Sequence, residues 1–311
     1  MGLNGVEMTN VSPERKTRIL ILGGTGMLGH VLLRYFFGDS KYEVYATTRN
    51  IEETRRYFPG TLIERFIQGN IVADDPDAIG RALTSARPDV VINCIGIIKQ
   101  LPLANDPVPS ITINALLPHR IALACRDMNA RMVHISTDCV FNGKKGMYEE
   151  ADNPSPEDLY GRTKLLGEVD YPHCITLRTS IIGHELKGGY GLIEWFLAAS
   201  GKVKGYRNAI YSGFPTIELA RIVRNFVLPD KGLIGVYHVS SEPLSKFDLL
   251  GLVARSYCKH IEIEAHENPA LDRSLISARF RKRTGYVPPS WPEMIDAMRR
   301  DYELNREQYG R

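Results

Sequence analysis

The chain alternates short apolar runs with longer stretches whose apolar residues recur every three or four positions, the pattern of strand–helix units feeding a parallel sheet. Strands are predicted at residues 18–22, 43–47, 63–68, 90–95, 132–135 and 175–177. Between them, residues 27–37, 77–86, 113–129 and 159–170 read as helices, with Gly38 a stop for the first. Units ordered in this way build an α/β fold of Rossmann type, a doubly wound parallel sheet. After residue 180 the regularity loosens: residues 192–199, 217–226 and 247–257 read as helices and 236–239 as a strand. The expected organisation is a flexible leader (1–17), a dinucleotide-binding Rossmann domain (18–180) and a smaller C-terminal lobe (181–311). That lobe is expected to serve mainly substrate binding and to be partly interleaved, with some segments returning to the first domain. No internal repeat or low-complexity tract points to a solenoid or a linker.

Of the 311 residues, 43% are hydrophobic and 24% charged, which suffices for a continuous core and sets disorder aside. A formal net charge of +3 with interspersed signs offers no basic stripe to track a nucleic acid, so no nucleic-acid partner is expected. Cys94, Cys125, Cys139, Cys174 and Cys258 are odd in number and include no Cys-x-x-Cys pair. Neither a disulfide framework nor a metal site is indicated, and a reducing cytoplasm is the expected compartment. No apolar run reaches the length of a membrane span, and residues 1–17 lack the apolar core of a signal peptide, so no membrane insertion is expected.

Directly after the first predicted strand stands Gly23-Gly24-Thr25-Gly26-Met27-Leu28-Gly29. Gly23 permits a tight turn, Gly26 lets backbone approach a pyrophosphate, and Gly29 lets helix and sheet pack closely. The helix N-terminus adds N–H donors and positive potential. Glycines alone are weak evidence. Their place between the first apolar strand and an amphipathic helix makes Gly23, Thr25, Gly26, Met27, Leu28 and Gly29 a candidate dinucleotide cradle. The second strand ends Thr47-Thr48-Arg49-Asn50, with an arginine where an acidic residue would hold a ribose 2′-hydroxyl. Arg49 suits a 2′-phosphate and so NADPH; a solvated arginine is the plain alternative, and Glu52 and Glu53 nearby keep NADH open. Asn70 and Ile71 either flank the adenine or form a surface turn. Cys94, Ile95 and Gly96, after Asn93, would let a ribose and nicotinamide lie against backbone. Cys94 has no cationic sequence neighbour and reads as a small core residue rather than a thiolate.

The fifth strand ends Ile135-Ser136-Thr137-Asp138, and Tyr160 and Lys164 follow in a helix, four residues apart and so on one face. A phenol with a pKa of about 10 exchanges protons poorly at neutral pH, and bringing it to about 7 takes roughly 4 kcal/mol. An ammonium at ~4 Å supplies about that at an effective dielectric near 20. Lys164 is therefore expected to make Tyr160 acidic and to hydrogen-bond the nicotinamide ribose, while Thr137 donates to a substrate carbonyl. Spacing proves little in a chain with 15 tyrosines; the order of glycine turn, polar strand end and Tyr-x-x-x-Lys assigns Thr137, Tyr160 and Lys164 as the catalytic group.

These stretches are joined by Ser136-Thr137-Asp138-Cys139-Val140-Phe141, the run from Tyr160 to Glu168, and Gly213-Phe214-Pro215-Thr216. Together they resemble the extended short-chain dehydrogenase/reductases, and among them the dTDP-4-dehydrorhamnose reductases and related nucleotide-sugar reductases of polysaccharide pathways, over about residues 18–298. The resemblance implies NADPH, with NADH as the alternative, and hydride delivery to C4 of a dTDP- or UDP-linked 4-keto-6-deoxy sugar. It gives Asn114 a part in a proton path, with an ordinary helix residue as the alternative. Cys139 stands where these reductases usually have tyrosine. GDP-fucose synthase, an epimerase-reductase, is similar in carrying an active cysteine there; its partner histidine is missing here, and His184 lies nearest in sequence. Sugar dehydratases place Asp-Glu after the threonine, and Cys139 follows Asp138 here, which disfavours dehydration.

For a diphosphate, the candidate forks are Arg178, Arg207 and Arg273, the last within Leu271-Asp272-Arg273-Ser274-Leu275, which resembles a late substrate-side stretch of these reductases. Trp195 reads first as a core residue and second as a pocket wall. The rival of another class is a binding protein that kept the fold without turnover, as in the regulatory subunit of methionine adenosyltransferase; the intact trio argues against it. Expected partners are the nucleotide sugar and, for self-association, a homodimer.

Overall fold

The computed structural model describes residues 15–309 apart from 59, 72–74 and 76, so most of the expected leader lies outside the described residues. Seven strands make one sheet: β1 (Thr17–Leu22), β2 (Tyr42–Thr48), β3 (Phe66–Gln68), β4 (Val90–Asn93), β5 (Arg131–Ile135), β6 (Cys174–Arg178) and β7 (Gly235–His238). Their order is β7-β6-β5-β4-β1-β2-β3, every neighbouring pair is parallel, and the chain reverses direction across the sheet between β1 and β4. A parallel sheet is covered on both faces, so its strands read as continuous apolar runs. β1 does so: Ile19 and Ile21 join one cluster and Leu20 and Leu22 the other.

The covering helices are α1 (Gly29–Phe37), α2 (Ala78–Ala86), α3 (residues 107–127) and α4 (Leu159–Leu166). After β6 come short strand pairs, Ile181–Ile182 with Phe214–Pro215 and Lys202–Tyr206 with Glu262–His266, and the helices Leu192–Ala198, Thr216–Ile222, Lys246–Ser256, Ala278–Thr284 and Trp291–Leu304. Thr216–Ile222 packs against α1, and β7 returns to the sheet beside β6.

Several predicted boundaries move for local reasons. The strand expected to residue 95 stops at Asn93, whose side-chain oxygen accepts the Ile95 N–H (3.1 Å) and turns the chain. The helix expected from 113 begins at Pro107, capped by Asp106, which accepts the Val108 N–H (3.1 Å). It contains a π-helical turn, Ile111–Leu116. The helix expected to reach 170 ends at Leu166, because Gly167 abuts α3: a Cβ there would stand 1.9 Å from the Asn114 carbonyl oxygen. Gly38 does end α1, but with φ −75°, so not through a left-handed cap. The expected leader is shorter at its inner end, since Thr17 pairs with Tyr42 and Arg15 bonds Asp89 (3.1 Å).

Candidate active site

All strand ends that carry candidate residues lie at the carboxyl edge of the sheet, where an open α/β sheet binds its ligands. The glycine turn leaves β1 with Gly23 at φ +81°, a conformation a side chain rarely adopts. Its N–H donates to Thr47 Oγ1 (3.0 Å) and that of Gly24 to the Thr47 carbonyl (2.9 Å), which fastens the turn to β2. A Cβ on Gly29 would lie 2.1 Å from the Gly23 carbonyl oxygen, so no side chain fits there. Gly26 is exposed, with only that same oxygen near its missing Cβ (3.3 Å), and Thr25 and Met27 are half-buried beside it. This open backbone is a cradle that any side chain at 26 would fill, and it fits a pyrophosphate. Gly24, which sequence reasoning passed over, is the tightest packed against the sheet: a Cβ would meet Ala46 at 2.5 Å. Leu28 is buried in the core behind the turn.

Arg49 is exposed just past β2 and makes no ion pair or hydrogen bond among the described residues. The nearby carboxylate Glu53 is engaged by Lys187 (2.7 Å), which holds it below the usual range. Asn70 is exposed, but Ile71 packs in the core with Leu20 and Leu22, so it is not part of a surface turn. On the next strand end, Ile95 lies against Gly23 and Gly96 against Lys164. Burial pushes the Cys94 thiol up to about 12.

Thr137, Cys139, Tyr160 and Arg273 converge. Thr137 caps the turn Asp138–Val140 by accepting the Cys139 N–H (3.1 Å). Asp158 caps α4 through the Gly161 N–H (2.8 Å) and pairs with Lys99 (2.6 Å), which fixes the helix that carries Tyr160. Gly161 is obligatory, since a Cβ would lie 2.3 Å from the Cys139 carbonyl oxygen. Lys164 is buried and donates to the Ile135 carbonyl (2.8 Å); burial lowers its ammonium to about 8. Asn114 accepts the Ile97 N–H (2.9 Å) and donates to the Ile97 carbonyl (3.2 Å), so it ties the loop after β4 to the π turn. Its own carbonyl is covered by Gly167.

One electrostatic expectation is overturned. Burial first, then the neighbouring Cys139, push the Tyr160 phenol well above its ordinary value, while the Thr137 hydroxyl acts in the other direction. Lys164 donates instead to the Ile135 carbonyl. Tyr160 in the free protein is therefore held in its protonated, phenol form.

The arginines separate into three kinds. Arg273 reaches the site, donating to the Phe141 carbonyl (2.8 Å) and to Cys139 Sγ (3.5 Å). Arg178 does not: its fork is spent on Glu168 (2.8 Å on both oxygens), and both side chains are only 7% exposed. Glu168, whose role sequence reasoning did not give, also accepts from Ser136 (2.7 Å), so it binds α4's end to two strands. Arg207 lies over the Phe247 ring in the lobe, and no contact joins it to Tyr160 among the described residues. Trp195 is 45% exposed, which corrects its placement in the core.

Cys139 is no thiolate: burial, then Asp138, push it up to about 12 against the opposing Arg273. His184 sits elsewhere, bonded to Glu194 (2.8 Å) and Tyr257 (2.8 Å) and stacked on Tyr302. The epimerase alternative thus keeps its cysteine, as a protonated thiol, but finds no partner in His184.

A glycine turn after β1 followed by a Thr just past β5 and a Tyr and Lys on α4 defines an extended short-chain dehydrogenase/reductase. Within that class, the chain belongs to the family described as RmlD substrate binding domain, whose family model matches residues 17–303. It is 29% identical over 219 residues to a dTDP-4-dehydrorhamnose reductase of Mycobacterium tuberculosis, covering 66% of this chain and 68% of that one. It is 25% identical over 254 residues to methionine adenosyltransferase 2 subunit beta of Danio rerio, covering 77% of this chain and 74% of that one. The crystal structure of dTDP-4-dehydrorhamnose reductase from Bacillus anthracis in complex with NADP has the same fold. The TM-score is 0.76 at 21% identity, over 92% of this chain and all of the other. Among the described residues no helix is long and apolar enough to cross a membrane.

Proposed function

We propose that the chain reduces the 4-keto group of a dTDP- or UDP-linked 4-keto-6-deoxy sugar, with NADPH as its nicotinamide cofactor. The observation that carries this reading is the convergence of a protonated Tyr160, Thr137 and Arg273 at one strand end beside the glycine turn. The dinucleotide would lie along Gly23, Thr25, Gly26, Met27, Leu28 and Gly29, with Arg49 at the adenosine end and Cys94, Ile95, Gly96, Tyr160 and Lys164 toward the ribose and nicotinamide. When bound, the dihydronicotinamide supplies the hydride that becomes the new C–H bond at C4. Thr137 donates to the ketone oxygen and turns one face of the carbonyl to the donor. Tyr160 delivers its proton to that oxygen as negative charge develops there, so the product is the neutral alcohol. Lys164, released from Ile135, stabilises the phenolate left behind. Arg273 places a planar cation for the diphosphate or sugar.

The test is NADPH oxidation with a panel of dTDP- and UDP-linked 4-keto-6-deoxy sugars. Turnover on at least one supports the reading. Tight cofactor binding with turnover on none favours instead a binding protein that kept the fold without turnover.

Arg49→Ala is expected to raise the KM for NADPH about tenfold and that for NADH less than twofold, as one charge-assisted phosphate contact predicts. Parallel titration of both cofactors checks this, and equal changes would remove the case for NADPH.

The pH profile follows from Lys164. Its ammonium loses its proton near 8 rather than at 10.5, so kcat/KM is expected to fall as pH rises through about 8. Stability moves in the opposite sense. Between about 8 and 10.5 the unfolded chain holds a proton that the folded chain has released, so Lys164 makes folding more favourable as pH rises through that window. A flat kcat/KM up to pH 9.5 would contradict the assignment.

A further inference from the structure

His30, the second residue of α1, is fully buried directly behind the glycine turn. Its Nδ1 lies 2.8 Å from the Gly26 carbonyl oxygen and its Nε2 3.0 Å from the hydroxyl of Tyr309, a residue 279 positions further along the chain. Burial and the nearby Arg34 push the imidazole down to about 3, so it is neutral at any working pH and carries one ring proton. A carbonyl can only accept, so that proton is on Nδ1 and Nε2 accepts from the phenol. The phenol is itself held protonated by burial, up to about 12.

Direction is thus fixed along the whole relay: Tyr309 O–H to His30 Nε2, and His30 Nδ1–H to the Gly26 carbonyl. The far end is anchored as well. Arg34 of α1 donates to the Tyr309 oxygen (3.2 Å), to Gln308 (2.9 Å) and to Asp301 (2.6 Å), so the C-terminal turn Arg306–Tyr309 is clamped onto the helix.

Across a trans peptide the C=O and the next N–H point in opposite directions. A carbonyl of Gly26 drawn back toward His30 therefore turns the Met27 N–H outward, over the open face of the cradle. We propose that Tyr309 and His30 are positioning residues for the dinucleotide, through which the C-terminal turn holds the Gly26–Met27 peptide with its N–H presented to the pyrophosphate. This rests on the reading of the glycine turn as the cofactor site.

The experiment uses the full chain with two variants. Tyr309→Phe keeps the ring against His30 and removes the hydroxyl. His30→Asn keeps an amide donor for Gly26 and is too short to reach Tyr309. Two quantities are measured: the NADPH dissociation constant by calorimetry, and amide exchange at Met27 and Leu28 in the cofactor-free chain. Each variant is expected to weaken NADPH about fivefold to tenfold, the worth of one buried hydrogen bond, and to speed exchange at those amides. The loss should fall on the KM for NADPH rather than on kcat. Because both changes cut one relay, the double variant should be no worse than the weaker single. Wild-type affinity in both variants, or additive losses in the double, would overturn the proposal. Should the wild-type chain itself bind no NADPH, the reading of the turn as a cofactor site would fail instead.

Discussion

Tyr160→Phe is expected to fold, to bind NADPH within about twofold of the wild type, and to turn over roughly a thousandfold more slowly, the middle of the range for losing a general acid. The substitution keeps the aromatic ring and removes the hydroxyl, with its hydrogen bond to Thr137. Hydride arrival at a ketone carbon leaves a strongly basic alkoxide, which the Tyr160 phenol is proposed to protonate. The discriminating measurement is single-turnover oxidation of bound NADPH beside the cofactor dissociation constant. A variant that lost both in equal proportion would show Tyr160 to be a binding residue rather than the acid.

The second large effect concerns stability. Arg178→Met should destabilise the fold by about 3–5 kcal/mol, because it strands the Glu168 carboxylate, 7% exposed, without its bidentate partner. Ser136 remains to it, through one hydrogen bond of 2.7 Å. The companion Arg178→Met with Glu168→Leu should recover most of that loss, since removing both charges also removes their desolvation cost. Urea unfolding of the three proteins checks the ordering. A single variant as stable as the wild type would mean that water reaches the pair.

The glycine turn, its strand and its helix were readable because each has a local cause: an apolar run buried on both faces, a positive φ at Gly23, and a contact that forbids a side chain at Gly29. Tyr160 and Lys164 were readable for a similar reason, four residues apart on one short helix. What lay hidden depends on contacts between distant segments. Arg178 read as a phosphate fork because nothing in its own stretch reveals that Glu168 and His238 already hold it. Ile71 read as an adenine flank or a surface turn because the core cluster that buries it comes from other elements. The shift of Tyr160 was misjudged in sign, since spacing supplied a cation nearby but neither the burial of the phenol nor the carbonyl that takes the cation. Other features carried local signals that were overlooked. Asp106-Pro107 announces the start of α3, and Ser290 with Glu293 forms a capping box that, with Pro292 in the first turn, opens Trp291–Leu304.

The return of Gly235–His238 to lie beside Cys174–Arg178 has a bearing on how the molecule can be taken apart. A chain cut after residue 180 would leave a fully buried strand as a bare rim, with its row of N–H and C=O groups free to recruit another chain. The two halves are stitched by more than one thread, so the later one is no detachable cap. Fragments offered as the minimal nucleotide binder should therefore begin near the first strand and run past residue 238.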